Sequence, residues 1–162
     1  MQVEGGATPT VLEQQLATEL TRVVIAVQAP EELAVLDDVA AEYFADPAAS
    51  LAAGERDEPL GFGGEFVLLG PYLLALAVPI VQYLGSLLAD GAKEAVTPLI
   101  ANRIRRLFRV GEPPVTADVA LTSAQLQRIH TETLQRAHSA GLPPDKAAML
   151  ADSLVGGLIV DR

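Results

Sequence analysis

Hydrophobic positions along the chain fall mostly at three- and four-residue steps, the period of helices that bury one face. Leu12, Leu16 and Leu20 begin the pattern, and Thr8-Pro9 ahead of them supplies a cap and a first-turn proline. The continuation Arg22–Val27 (RVVIAV) is rich in β-branched residues, so the end of this element fits a short strand as well as a helix. Pro30 opens a second helix with Leu33, Leu36, Ala40, Tyr43 and Phe44 on one face. Its first turn holds Glu31 and Glu32, where negative charge suits the positive end of the helix dipole. Asp46-Pro47 repeats the cap-and-proline start for a short helix that stops at Gly54.

The period then disappears. Gly54–Gly64 (GERDEPLGFGG) combines charge, proline and glycine and reads as the clearest loop. Between Glu65 and Asp90 there is no charged residue at all: FVLLGPYLLALAVPIVQYLGSLLA. A run of this kind crosses a membrane, lies covered inside a helical bundle, or holds an oligomer together. Gly70-Pro71 starts its main helix, and Pro71 to Ala89 spans about 28 Å at about 1.5 Å per residue. That is close to the hydrocarbon thickness of about 30 Å. Pro79 removes one backbone hydrogen bond, so the segment 66–89 is a central helix or a kinked hairpin.

Periodicity returns after Asp90. Thr97-Pro98 marks a helix start, with Leu99, Ile100, Ile104, Leu107 and Phe108 as its apolar stripe and arginines on the other face. Gly111-Glu112-Pro113-Pro114 reads as a linker. Thr122 or Ser123 caps a helix through His138, closed by Gly141 and Pro143-Pro144. In the last helix Ala147, Leu150, Ala151, Leu154, Val155 and Leu158 are spaced three and four apart, so the two form an αα-hairpin. The pattern as a whole predicts an all-α fold, about five to six helices bundled around the apolar segment 66–89. It divides into an acidic helical part (1–54), a Gly-rich acidic loop (55–65), the apolar segment with its arginine-rich helix (66–110) and the C-terminal hairpin (115–162).

Charge sharpens this division. Residues 1–65 carry thirteen Asp and Glu against Arg22 and Arg56, a balance of −11, whereas residues 66–162 balance to +1. The total of −10 argues against general nucleic-acid binding, which needs a basic face, and no nucleic-acid partner is expected. Half the 162 residues are apolar and mean hydropathy is +0.31, yet aromatics make up only 4% and Trp is absent. Leu, Val and Ala in that proportion favour helix packing over aromatic ligand pockets. The absence of Cys excludes disulfides and thiol chemistry. The first residues lack the basic start and apolar core of a secretory signal, so the expected location is the cytoplasm, the inner membrane, or both.

Motifs for chemistry are scarce. Gly61, Gly63 and Gly64 lack the Lys-Ser/Thr of a P-loop and sit among Glu55, Asp57, Glu58 and Glu65, which repel phosphate; they read as a hinge. His130 and His138 are about 12 Å apart along one helix and cannot share a metal ion. Glu31/Glu32, Asp37/Asp38 and Asp57/Glu58 are sequence neighbours that point to different sides of a helix, which does not make an acid–base pair. No serine sits in a nucleophile elbow. Neither an enzyme, a metal site nor a cofactor is indicated.

Two readings of function remain. In the first, a self-associating helical protein enters or perturbs a membrane. The inserting or core positions are Phe66, Leu68, Leu69, Pro71, Leu73, Leu74, Leu76, Val78, Pro79, Ile80, Val81, Leu84, Leu87 and Leu88. Arg103, Arg105, Arg106 and Arg109 then meet lipid headgroups, consistent with the positive-inside rule, or an acidic partner. An apolar segment wrapped by amphipathic helices resembles, in outline, helical pore-forming and membrane-perturbing proteins. In the second reading the segment is the core or oligomer interface of a soluble adaptor, and the arginines pair with acidic faces such as Asp37, Asp38 and Glu42. Both readings expect self-association, and the acidic half is a candidate surface for a protein partner.

Overall fold

The structure, a computed structural model, describes residues 8–56, 69–88, 97–108 and 121–158, with the backbone alone for 52–56. Phe66, Leu68, Arg109, Gly61, Gly63 and Gly64, and the linker expected at 111–114, lie outside the described residues.

Local sequence explains where the helices begin. Helix α1 spans Val11–Gln28. Its cap is Thr10 rather than Thr8-Pro9: the Thr10 hydroxyl accepts the Glu13 amide at 3.2 Å, and Glu13 Oε1 accepts the Thr10 amide at 3.0 Å. This reciprocal capping box satisfies two orphan donors at once. The β-branched stretch Arg22–Val27 is helical throughout. Leu16, Leu20 and Val24 continue one buried stripe at four-residue steps, and packing of that stripe outweighs the intrinsic preference of Val and Ile.

A 3-10 turn over Pro30–Ala34 leads into α2, Leu36–Ala45, whose buried side chains are Leu36, Ala40 and Tyr43. Asp46 Oδ1 accepts the Ala49 amide at 3.1 Å and starts α3, Pro47–Arg56, which runs past the stop expected at Gly54. Helix α4 spans Gly70–Leu88. It is one helix through Pro79 rather than a hairpin. Helix α5, Pro98–Leu107, is capped by Thr97, whose hydroxyl accepts the Ile100 amide at 3.3 Å. A second capping box, Thr122 with Gln125, opens α6, Ser123–Ser139. Gly141 at φ 87° makes the turn into α7, Pro144–Gly156, in a left-handed conformation that a side chain disfavours.

The protein is therefore all-α, a bundle with α4 along its axis and α6–α7 as a C-terminal hairpin. Helix α4 packs most extensively against α1 and also meets α2, α3, α5 and α6. One core cluster joins Leu16, Leu20 and Ile25 of α1, Leu73, Val81 and Leu84 of α4, Ile104 and Leu107 of α5, Ile129 of α6, and Leu150 and Leu154 of α7. Leu74 on the other side of α4 forms a smaller cluster with Ala40 and Tyr43. An isolated antiparallel bridge between Phe108 and Leu158 ties the end of α5 to the end of α7. No β-strand occurs among the described residues.

Candidate functional site: the covered apolar helix and its charged surroundings

Helix α4 is about half buried inside the fold. Leu73, Leu74, Val81 and Leu84 are fully buried, and Leu76 and Ile80 nearly so. Leu69, Val78, Leu87 and Leu88 are half-buried against the same core, and Pro71 and Pro79 are half-buried. Within Gly70–Leu88 only Ser86 is exposed, and its hydroxyl donates to the Tyr83 carbonyl at 2.7 Å. Ala77 and Gly85 are buried along with the leucines.

What holds the start of α4 lies far away in the sequence. Glu32 is a buried carboxylate whose Oε1 accepts the Leu69 amide at 2.9 Å and whose Oε2 accepts the Gly70 amide at 3.1 Å. Its proximity to its own helix dipole, expected from sequence, is secondary to this task. The chain comes close here: a Cβ on Gly70 would lie 3.0 Å from Val39 Cγ1 and 3.7 Å from Glu32 Oε2. The capping role of Glu32 leaves one trace in the sequence. The residue before Gly70-Pro71 is Leu69, which cannot cap, so an acceptor must come from elsewhere.

The arginines divide. Arg105 Nε donates to both carboxylate oxygens of Glu19 on α1, at 3.1 and 2.9 Å, and its Nη1 donates to Asn102 at 3.2 Å. Arg103 and Arg106 are exposed. The acidic partner of Arg105 is thus Glu19 instead of Asp37, Asp38 or Glu42, because α1 and not α2 lies beside α5. Asp37 is occupied by Arg22, at 2.6 Å.

Between α1 and α2 an open groove of about 610 Å³ is floored by Val11, Ala40, Ala41, Phe44 and Ala45 and edged by Gln14, Thr18, Glu19 and the Arg22–Asp37 pair. Tyr43 behind it is buried, stacks edge-on against Phe44 with centroids 5.2 Å apart, and has its phenol pKa pushed above 10.0 by desolvation. On the hairpin, His130 Nε2 lies 2.7 Å from Asp152 Oδ1, an inter-helix contact the sequence reading did not foresee, while His138 is exposed. Arg128 stacks over the Tyr83 ring of α4 at 5.2 Å and links the hairpin to the central helix. Among the described residues no three His, Asp or Glu side chains converge to hold a metal ion.

Comparison of the chain with protein-family models, curated proteins and solved structures finds no match.

Proposed function

We propose that the protein is a non-enzymatic helical binding and assembly module that works in water, with the apolar segment serving as its own core. The observation that carries this reading is the packing of α4: a helix with no charged side chain has ten of its 19 residues buried, eight partly buried and Ser86 exposed. Apolar area removed from water stabilises the bundle by about 25 cal/mol per Å², so extracting α4 forfeits the burial of Leu73, Leu74, Leu76, Ile80, Val81 and Leu84. What remains for partners is the surface: the acidic face of α2, the groove beside it, and the exposed Arg103 of α5.

Entry of α4 into a membrane is the second reading. Its support is that α4 has 19 residues and a mean hydropathy of 1.6, long and apolar enough to span a bilayer. The core helix of a water-soluble bundle meets the same description, and half of the α4 window is buried inside the fold. Liposome flotation separates the two. Protein that stays with the soluble fraction, with and without anionic lipid, is the expected outcome; co-flotation with vesicles overturns the first reading in favour of the second.

A further inference from the structure

The α1–α2 groove leaves apolar surface open to solvent: Val11 is 70% exposed, and Ala41 and Ala45 are exposed beside the half-buried Phe44. Its volume of about 610 Å³ gives room for several apolar side chains. Both walls are helices whose amides bond along their own axes, so an extended segment would find no backbone partners there. A ligand for such a groove has to satisfy its own backbone, as a helix does.

Charge beside the groove selects the ligand further. The charged side chains inside it are already paired: Asp37 with Arg22, and Glu19 with Arg105. Asp38 and Glu42 lie outside the groove, on the next strip of α2. They stand three residues before Ala41 and Ala45 respectively, so each acid neighbours a groove alanine on the helix surface. Both are exposed, and neither meets a base among the described residues. Arg22 is the one basic residue between Val11 and Ala45, so this edge of the groove carries a negative potential. The chain's own arginine-rich helix is not free to answer it, because α5 spends Ala101, Ile104 and Leu107 on the core.

We propose that the α1–α2 groove receives a basic amphipathic helix of another protein. The apolar stripe of that helix lies against Val11, Ala41, Phe44 and Ala45, and its Lys or Arg side chains reach over Asp38 and Glu42. This rests on the reading of the protein as a binding module and names the class of its partner. The apolar stripe supplies the central contact, while the exposed charges set orientation and make binding sensitive to salt.

Fluorescence anisotropy of a labelled synthetic peptide against the full chain tests it. The probe is an amphipathic helix of Leu and Lys about four turns long. Its controls are the Leu and Glu analogue and a peptide of the same composition with the helical pattern scrambled. The Leu and Lys helix should bind, more weakly as salt rises, and at least about tenfold more tightly than either control. Ala41→Glu separates the groove from charge alone. It adds a negative charge, which strengthens mere electrostatic attraction, but it blocks the groove and should weaken binding by about tenfold; Ala45→Glu should do the same. Asp38→Lys combined with Glu42→Lys should weaken binding and flatten its salt dependence. All four positions are exposed, and an unchanged thermal melt shows that each variant is folded. Binding that is absent, equal for the Glu analogue, or unchanged or strengthened by Ala41→Glu and Ala45→Glu overturns the proposal. So does a wild-type dimer in sedimentation velocity that Ala41→Glu dissociates, since a second copy then fills the groove. Each of these results leaves the protein a module that works in water; failure of that reading shows separately, as flotation with vesicles.

Discussion

Glu32 shows how one side chain can decide where an element begins. It reaches across 37 residues to accept two amides at the start of α4, and the Gly70 amide is buried. Removing the acceptor leaves a buried donor without its partner, at a cost of about 1–3 kcal/mol. Glu32→Ala should therefore lower unfolding free energy by that amount in urea titration. Glu32→Gln, which keeps one acceptor oxygen, should lose less. Tyr43 offers a second test at this scale. Burial raises its folded pKa above 10.0, so neutral Tyr43 is favoured in the native state. Its contribution is fully present below pH 10 and is lost as pH rises through the folded value, because the unfolded chain releases the proton first. Stability should fall across that alkaline window, and Tyr43→Phe should flatten that part of the curve in unfolding measurements at each pH.

At the scale of elements, much was legible because most helix starts are written locally. Thr97-Pro98 and Asp46-Pro47 fall where the sequence puts them, Thr122 caps as one of the two residues expected, and the four-residue steps of Leu16, Leu20, Leu150 and Leu154 mark buried stripes. The misreadings share a cause. Thr8-Pro9 looked sufficient, but Thr10 has a Glu three residues on and Thr8 does not, and the reciprocal pair prevails. The stretch Arg22–Val27 looked strand-like by propensity, but a helix places Val24 and Ile25 in the core beside α4. The partner of the arginines was hidden because spacing says nothing about which helix lies beside α5. That pairing, Arg105 with Glu19, joins α5 to α1 with side chains 36% and 41% exposed. Solvent screening keeps such a bond weak, so a double-mutant cycle on Glu19→Ala and Arg105→Ala should give a coupling of about 1 kcal/mol or less. The coupling should shrink as salt is added.

For the molecule as a whole, the sequence left open what covers the uncharged run, because length and hydropathy are the same for a spanning helix and a core helix. In the bundle α1, α2, α3, α5 and α6 all pack against α4. This arrangement predicts opposite fates for the same change at two places on one helix. Leu76 is 2% exposed, so Leu76→Arg puts an unpaired charge in the core, at a cost of several kcal/mol against a typical total of about 5–15 kcal/mol. The whole bundle should unfold, seen as loss of the cooperative melt and of the helical signal in circular dichroism. Ser86→Arg, at the exposed position of α4, should change stability by no more than about 0.5 kcal/mol. A segment that lies outside the core and awaits lipid behaves differently: Leu76→Arg would then spare the surrounding helices and leave their melt intact. A cooperative transition surviving Leu76→Arg would therefore remove α4 from the core, and with it the case for a bundle that keeps its apolar segment to itself.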